Sequence, residues 1–134
     1  AVARSDVCVT CTPSRKPLLH ELRPGIFVAA VGADSPDKQE LDPALLASAK
    51  VVVDSLDQCA EIGELHHAIE AGSMRREDVH AEIGEIVAGR KRGRTDDEEI
   101  TVFDSTGTAL QDVAAAASVY AAATRLRRGI ELEL

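Results

Sequence analysis

Small polar residues follow four apolar segments of the sequence, at the points where strands are expected to end. They are Thr12, Pro13 and Ser14; Gly32, Ala33, Asp34 and Ser35; Asp54 and Ser55; and Asp104, Ser105, Thr106 and Gly107. The carboxyl ends of the strands in an open parallel sheet lie along one edge, where the ligands of doubly wound folds bind. Any single end is also what a turn or cap requires, but four together favour a ligand site.

Asp34 is the best single candidate for acid or base chemistry. A carboxylate on the floor of a crevice loses hydration, which moves its pKa toward neutrality and suits proton transfer. The alternative is an aspartate that only opens a turn before Pro36. Lys38, four residues further on, is placed either to meet a phosphate or ribose or to be a solvated surface residue.

Other combinations of reactive residues are less specific. His66 and His67 are adjacent on a predicted helix and point in different directions, so no metal site is predicted. Cys8 and Cys11 lack the second ligand pair of a zinc site and are expected to be buried thiols. Ser105 is not in a Gly-x-Ser-x-Gly motif, and no Gly-x-Gly-x-x-Gly turn follows any strand. Neither a serine hydrolase nor a complete dinucleotide site is therefore supported.

The elements that must position these residues follow an α/β pattern. Near-continuous apolar runs predict strands covered on both faces. The predicted strands are residues 6–12, 26–31, 50–54 and 100–104. The predicted helices are 43–49, opened by Asp42 and Pro43; 57–71, kinked at Gly63; 77–88; and 106–128. This alternation predicts a partial Rossmann-like, doubly wound parallel sheet of about four strands with flanking helices.

Length and composition limit the class of protein. The 134 residues allow one domain, residues 1–134, and the 45% of apolar residues include only two Phe, one Tyr and no Trp. A net charge of −8 argues against nucleic acid and anionic membranes as partners, because the basic stretch 90–94 is followed directly by the acidic stretch 96–99. The sequence has neither an apolar run of about 18 residues nor a signal-peptide pattern, which predicts a cytoplasmic protein.

Several segments resemble the ornithine cyclodeaminase/mu-crystallin family, in order and along nearly the whole chain. They are VTCTPSRKPLL (9–19), LRPGIFVAAVGADSPDKQELD (22–42), VVVDS (51–55), EIGEIVAGR (82–90) and ITVFDSTGTALQD (100–112). The resemblance implies a Rossmann-type domain that binds NAD or NADP. It also implies an enzyme acting on small amino acids or cyclic imines, by ornithine cyclodeamination, alanine dehydrogenation or ketimine reduction.

The resemblance also implies roles for individual residues. Asp34 corresponds to the family's proton donor or acceptor, and Thr106 to a residue beside the substrate. The positions that match cofactor contacts are Thr12, Val28, Ala29, Ala30, Val31, Lys38 and Ser105. Ala29 stands where the family usually has an amide side chain. If these roles hold, Thr12, Asp34 and Ser105 should line one pocket.

Family chains are longer than this one, and the matching part is the C-terminal half of their dinucleotide-binding domain. The family's glycine-rich turn, its acidic ribose ligand and its substrate-binding Arg and Lys are expected before Ala1. Without that turn the chain lacks the backbone N–H groups that hold a pyrophosphate. We therefore expect weak or absent binding of NAD or NADP, and no catalysis, by this chain alone.

Three functions remain open from the sequence. The first is the cofactor-domain portion of an NAD(P)-dependent ornithine cyclodeaminase-like enzyme. The second is a non-catalytic remnant that serves as a ligand-binding or protein-interaction module, and the third is a crystallin-like or hormone-binding role.

The doubly wound strand order also predicts how the chain assembles. In that order, strand 6–12 is the fourth strand and has an open edge where the first strand would pair. That edge and the Ala-rich face of helix 106–128 predict a homodimer, or a complex with a separate N-terminal half. The alternative is that the helix folds back over the edge.

Overall fold

A computed structural model describes residues 2–130 and residue 132. Within them the strands are β1 (Val7–Thr10), β2 (Arg15–Leu19), β3 (Phe27–Ala30), β4 (Gln39–Leu41), β5 (Lys50–Val53), β6 (Ala81–Glu82) and β7 (Thr101–Asp104). The α-helices are α1 (Pro43–Ala47), α2 (Leu56–Ile62), α3 (Glu64–Glu70), α4 (Ile83–Val87) and α5 (Ala109–Leu126). Two short 3₁₀ turns, Val2–Arg4 and Arg76–Asp78, complete the regular structure.

Five strands form one parallel sheet in the order β1-β3-β7-β5-β6. The predicted α/β fold with a parallel sheet is confirmed, with five strands instead of about four. β7, the last strand of the described chain, lies between β3 and β5, so neighbours in the sheet are not always neighbours in the sequence. This insertion brings Asp104 next to Ala30 on one side and Val53 on the other.

A second, two-stranded parallel sheet pairs β2 with β4, and the sequence did not predict it. Arg15 pairs with Gln39 and Leu19 with Leu41, with an irregular register between them. β2 follows the carboxyl end of β1 and β4 follows that of β3. The small sheet therefore connects the chain segments that leave two neighbouring strands of the main sheet.

One face of the main sheet carries the core. Its side chains are at most 1% exposed and belong to Val28, Ala30, Val51, Val53, Val102 and Asp104. Leu46, Leu65 and Ala68 from the helices pack on this face, and burying each Val or Leu side chain contributes about 1.5–3 kcal/mol.

The other face of the main sheet is more open. Val7 and Val9 on β1 are 60% and 59% exposed, so the prediction that every strand is covered on both faces is wrong for β1. A cavity of about 240 Å³ lies on this face, between Phe27, Val52 and Phe103 of the sheet and Ile83 and Ile86 of α4.

The first two helical regions follow their sequence signals. Asp42 caps α1, with its Oδ1 accepting a hydrogen bond from Ala44 N at 3.0 Å. The predicted kink at Gly63 is a complete break between α2 and α3, where Gly63 is extended with ψ −172°. A Cβ at Gly63 would lie 2.6 Å from Asp104 Oδ2, so this position has to be glycine for the two segments to approach.

The predicted helix 77–88 is wrong. The structure has the turn Arg76–Asp78, strand β6 and the short helix α4 in its place. His80 N donates to Val51 O at 2.9 Å, and Ala81 pairs with Val52, which extends the chain along β5. Val79 packs against the core on one face of the main sheet, whereas Ile83 and Ile86 line the cavity on the other face. A single helix lies on only one face of a sheet, so residues 77–88 cannot form one helix and make both sets of contacts.

Helix α5 begins three residues later and ends two residues earlier than predicted, and none of its residues is buried. Leu110, Val113 and Tyr120 are all exposed, and so are Val7 and Val9 on β1. The helix therefore does not fold back over the β1 edge in the described chain. Among the described residues, no helix is long and apolar enough to cross a membrane.

Candidate functional site

The carboxyl edge of the main sheet gathers the polar strand ends that the sequence singled out. Thr10, Ala30, Asp104 and Val53 lie at the same level in four adjacent strands. The segments that contain Thr12, Asp34 and Ser105 therefore all leave the sheet at one edge. That these three side chains line a single pocket stays a prediction.

Asp34 lies in the segment after β3, where it is exposed and paired with Lys38. Asp34 Oδ1 is 2.5 Å from Lys38 Nζ, and this hydrogen bond is the main reason that the pKa of Asp34 is lowered. The expectation that desolvation raises this pKa toward neutrality is wrong for the described chain, because the carboxylate is in solvent and next to a cation. Asp34 is therefore a carboxylate at neutral pH.

Thr12 and Gly32 are both held by Glu40, a residue that the sequence analysis missed. Thr12 N donates to Glu40 Oε1 at 2.6 Å and Gly32 N donates to Glu40 Oε2 at 3.0 Å. The Thr12 hydroxyl accepts from Ser14 N at 3.2 Å, and its own hydrogen has no acceptor among the described residues. The signal in the sequence was an acidic residue between Gln39 and Leu41 in a short strand, and such a residue is usually exposed to solvent.

Ser105 and the loop after β7 are held by Asp54. Asp54 Oδ2 accepts hydrogen bonds from Ser105 Oγ and Gly107 N, both at 2.8 Å. Burial acts to raise the pKa of Asp54, but hydrogen bonds from Cys59, Ser105 and the backbone outweigh it and lower the pKa. In the same loop, the Thr106 hydroxyl oxygen is buried and has no hydrogen-bond partner in the described chain.

The four positions in and directly after β3 that are implied as cofactor contacts divide between the two faces of the sheet. Val28 and Ala30 are buried in the core, with 0% and 1% exposure, whereas Ala29 is half-buried and Val31 is 40% exposed. Ala29 and Val31 offer side chains to a ligand on the open face. Val28 and Ala30 offer only main chain, and this main chain is already paired with β1 and β7.

The side chains of the two adjacent histidines lie close together, although neighbouring positions on a helix point in different directions. The rings of His66 and His67 lie edge to face with centroids 5.1 Å apart, and their ligand atoms and that of Glu70 lie within 4.8 Å of one another. His67 Nε2 is 2.7 Å from Lys38 O, which links α3 to the segment carrying Asp34. The absence of a metal site here stays a prediction.

The three cysteines are free thiols in different environments. Cys59 is buried, Cys8 is half-buried and Cys11 is exposed. Burial raises the pKa of both the Cys8 and Cys59 thiols. The prediction of a buried thiol is wrong for Cys11, because β1 ends at Thr10 and Cys11 already lies in the loop beyond it.

The parallel sheet, its flanking helices and this polar edge define an α/β protein of the Rossmann-like class. The sequence model of the ornithine cyclodeaminase/mu-crystallin family matches residues 1–126. The chain belongs to this family, and the resemblance found from the sequence segments is confirmed.

Three solved structures are similar to the chain over nearly its whole length. An archaeal alanine dehydrogenase dimer with bound NAD is 50% identical, with a TM-score of 0.87, over 96% of this chain and 41% of that one. The iminosuccinate reductase of Paracoccus denitrificans in complex with NAD⁺ is 43% identical, with a TM-score of 0.90, over 99% and 41%. The Δ¹-pyrroline-2-carboxylate reductase of Thermococcus litoralis, in complex with NADH and L-proline, is 31% identical, with a TM-score of 0.90, over 98% and 42%. The chain thus spans about two-fifths of the length of each.

Proposed function

We propose that this chain is the C-terminal part of the dinucleotide-binding domain of an NAD(P)-dependent enzyme that interconverts an amino acid and its imine. The observation that carries the proposal is the gathering of Thr12, Asp34 with Lys38, and Ser105 with Thr106 at one edge of three adjacent strands. The names of the similar structures, one dehydrogenase and two imine reductases, support a redox reaction at a carbon that bears nitrogen. They do not favour ornithine cyclodeamination in particular.

The reaction is a hydride transfer. In the reductive direction a bound NAD(P)H would supply the hydride to the imine carbon and leave as NAD(P)⁺, and the imine nitrogen would gain a proton, so that the C=N bond is reduced to an amine. In the reverse direction the amine loses the same hydride and proton.

The role of Asp34 in this reaction is to handle the proton on the substrate nitrogen. Its lowered pKa makes it a carboxylate at neutral pH, and a carboxylate next to an imine stabilises the protonated, cationic form that accepts hydride more readily. In the oxidative direction the same carboxylate accepts the proton that the amine releases. Lys38, at 2.5 Å, lowers the pKa of Asp34 further by its hydrogen bond and charge.

The residues present fit the nicotinamide and ribose end of a dinucleotide better than its pyrophosphate. Thr12 has a hydroxyl hydrogen to donate, Thr106 has a hydroxyl without a partner in the described chain, and Lys38 has two ammonium hydrogens besides the one shared with Asp34. No glycine-rich turn is present to hold the pyrophosphate. We therefore expect this chain alone to bind NAD(H) weakly.

The direct test is an NMR titration of the ¹⁵N-labelled chain with NADH and, separately, with NADPH. We expect the amides of Thr12, Asp34 and Ser105 to shift at millimolar dinucleotide, while residues around the cavity of Phe27 and Ile83 do not. Shifts confined to the cavity, or no shifts at all, would contradict the proposal.

The catalytic role is tested in the full-length protein with NADH and Δ¹-pyrroline-2-carboxylate, and with pyruvate plus ammonia as a second substrate. Asp34→Asn should reduce kcat about 100-fold or more, the usual contribution of a positioned acid or base. Asp97→Asn removes an exposed carboxylate with no side-chain partner in the described residues and should leave kcat unchanged. Equal kcat values for the two variants would contradict a catalytic role for Asp34.

A further inference from the structure

Three buried acidic residues connect the core of the molecule to the candidate site. Glu40, Glu64 and Asp104 are 0%, 1% and 0% exposed, and we call them the carboxylate series. Asp104 accepts from Glu64 N at 3.2 Å and Leu65 N at 2.9 Å. Glu64 accepts from Glu40 N at 2.7 Å and Leu41 N at 3.1 Å. Glu40 in turn accepts from Thr12 N and Gly32 N.

The carboxylate series is held by backbone donors and not by cations. No Lys, Arg or His of the described chain forms an ion pair with any of the three. Burying a carboxylate without a cation is unfavourable unless hydrogen bonds satisfy its oxygens. Each member accepts hydrogen bonds from two backbone N–H groups. These bonds satisfy the buried carboxylate oxygens and also fix the position of the chain segments that donate them.

Two glycines leave room for the ends of the series. A Cβ at Gly32 would lie 2.4 Å from Glu40 Oε2, and a Cβ at Gly63 would lie 2.6 Å from Asp104 Oδ2. Gly32 has an ordinary backbone conformation, so space and not φ requires glycine there. At both ends of the series, therefore, a side chain larger than that of glycine would displace the buried carboxylate.

Glu40 lies where the ladder between β1 and β3 ends. Val31 N donates to Thr10 O at 2.9 Å, the last backbone bond between the two strands. Beyond it, Thr12 and Gly32 do not bond to each other but to the two oxygens of one carboxylate. The carboxylate therefore sets the separation of the two segments and opens the edge between them.

We propose that Glu40 is a positioning residue, which bridges the segments after β1 and β3 and holds them at the separation that the dinucleotide requires. Glu64 and Asp104 hold Glu40 in place by binding β4 and the start of α3. The proposal rests on the proposed function in one respect: Thr12 contacts the dinucleotide and Asp34, two residues after Gly32, handles the proton.

The test compares Glu40→Gln with the full wild-type chain. A glutamine has one acceptor oxygen and one NH₂ group, so it cannot accept from both Thr12 N and Gly32 N. We expect amide hydrogen exchange at one or both of these residues to be about tenfold faster, and the dissociation constant for NADH to rise about tenfold. Glu61→Gln, on the exposed face of α2, changes the same charge and should alter neither quantity.

A second variant keeps the Glu40 carboxylate but fills the space that it occupies beside Gly32. Gly32→Ala should weaken NADH binding as Glu40→Gln does, and the double variant should be no weaker than either single one, because both remove the same bridge. Gly84→Ala, where a Cβ meets nothing within 4 Å, is the matched control. This comparison decides the proposal if Glu40→Gln fails to fold.

A spectroscopic readout separates positioning from simple stabilisation. A hydrogen bond to a carboxylate moves an amide proton resonance downfield, so the amide proton shifts of Thr12 and Gly32 should move upfield in Glu40→Gln and stay unchanged in Glu61→Gln. Unchanged exchange, unchanged amide proton shifts and an unchanged NADH dissociation constant in Glu40→Gln would overturn the proposal. If the wild-type chain shows no NADH binding, the proposed function fails, and exchange and amide proton shifts at Thr12 and Gly32 still decide whether Glu40 bridges the segments.

Discussion

Lys38 is the largest influence on the ionisation of Asp34. It lowers the pKa of Asp34 by a hydrogen bond and by its charge, and Lys38→Gln removes the charge and leaves at most a weaker, neutral hydrogen bond. We expect the carboxyl ¹³C resonance of Asp34 to titrate below pH 3.8 in the wild-type chain and at a higher pH in Lys38→Gln. Lys16→Gln, at an exposed lysine of β2, should leave the Asp34 midpoint where it is; the same midpoint in all three proteins would contradict the assignment.

The placement of Thr12, Asp34 and Ser105 at one edge of the sheet was predictable from a local pattern. Thr12, Asp34 and Ser105 stand directly after apolar runs, and the topology of a parallel sheet places such residues at one edge. Glu40 and Glu64 carry no local mark, because an acidic residue in a short strand or at the start of a helix reads as a surface residue. Their burial depends on contacts 23 to 28 residues apart in the sequence, which no local pattern contains.

At the scale of elements, the buried carboxylates make the attachment of α3 depend on pH. Burial raises the pKa of Glu64 to about 7 and that of Asp104 to about 6, from 4.5 and 3.8. Between these ordinary and raised values the folded chain binds more protons than the unfolded chain. Its free energy of unfolding therefore falls as pH rises from about 4 to about 7, and levels off above.

This dependence is measurable by urea unfolding at pH 5 and pH 7.5. We expect the wild-type chain to be more stable at pH 5, because each pKa unit corresponds to about 1.4 kcal/mol, and the difference to be smaller in Asp104→Asn. The acids whose pKa is lowered, such as Asp54 and Glu99, act only below their ordinary values. A chain that is more stable at pH 7.5 than at pH 5 would contradict the expectation.

Elements with their own hydrophobic run were predictable, and elements held by their neighbours were not. β1, β3, β5 and β7 are apolar runs, and α1 begins at an Asp-Pro pair. In contrast, β2 contains Pro17 and two basic residues, β4 has three residues and β6 has two. They are strands because a partner backbone lies beside them, as Val52 does for Ala81.

At the scale of the whole molecule, β1 and α5 expose apolar side chains. β1 is at the edge of the sheet, with Val7 and Val9 exposed, and α5 exposes Leu110, Val113 and Tyr120. Open edges and apolar helix faces favour association, so we expect light scattering of the chain to give about twice its mass of 14.2 kDa. A stable monomer without a bound partner would contradict this, whereas a complex with a separate N-terminal half would replace the homodimer.

Two substitutions tell the surfaces apart. A lysine in place of Val9 opposes strand pairing at the β1 edge, and a lysine in place of Val113 opposes packing on α5. We expect one of these variants to be monomeric. Val87→Lys, at an exposed position at the end of α4, is the control and should associate as the wild-type chain does.

The close approach of Gly32 to Glu40 and of Gly63 to Asp104 has a consequence for how related sequences diverge. A side chain at either glycine would occupy the space of a carboxylate oxygen, and loss of the carboxylate would remove the reason for the glycine. The members of each pair should therefore change together among homologues: a lineage that acquires alanine at position 32 should no longer have glutamate at position 40, and positions 63 and 104 should covary in the same way.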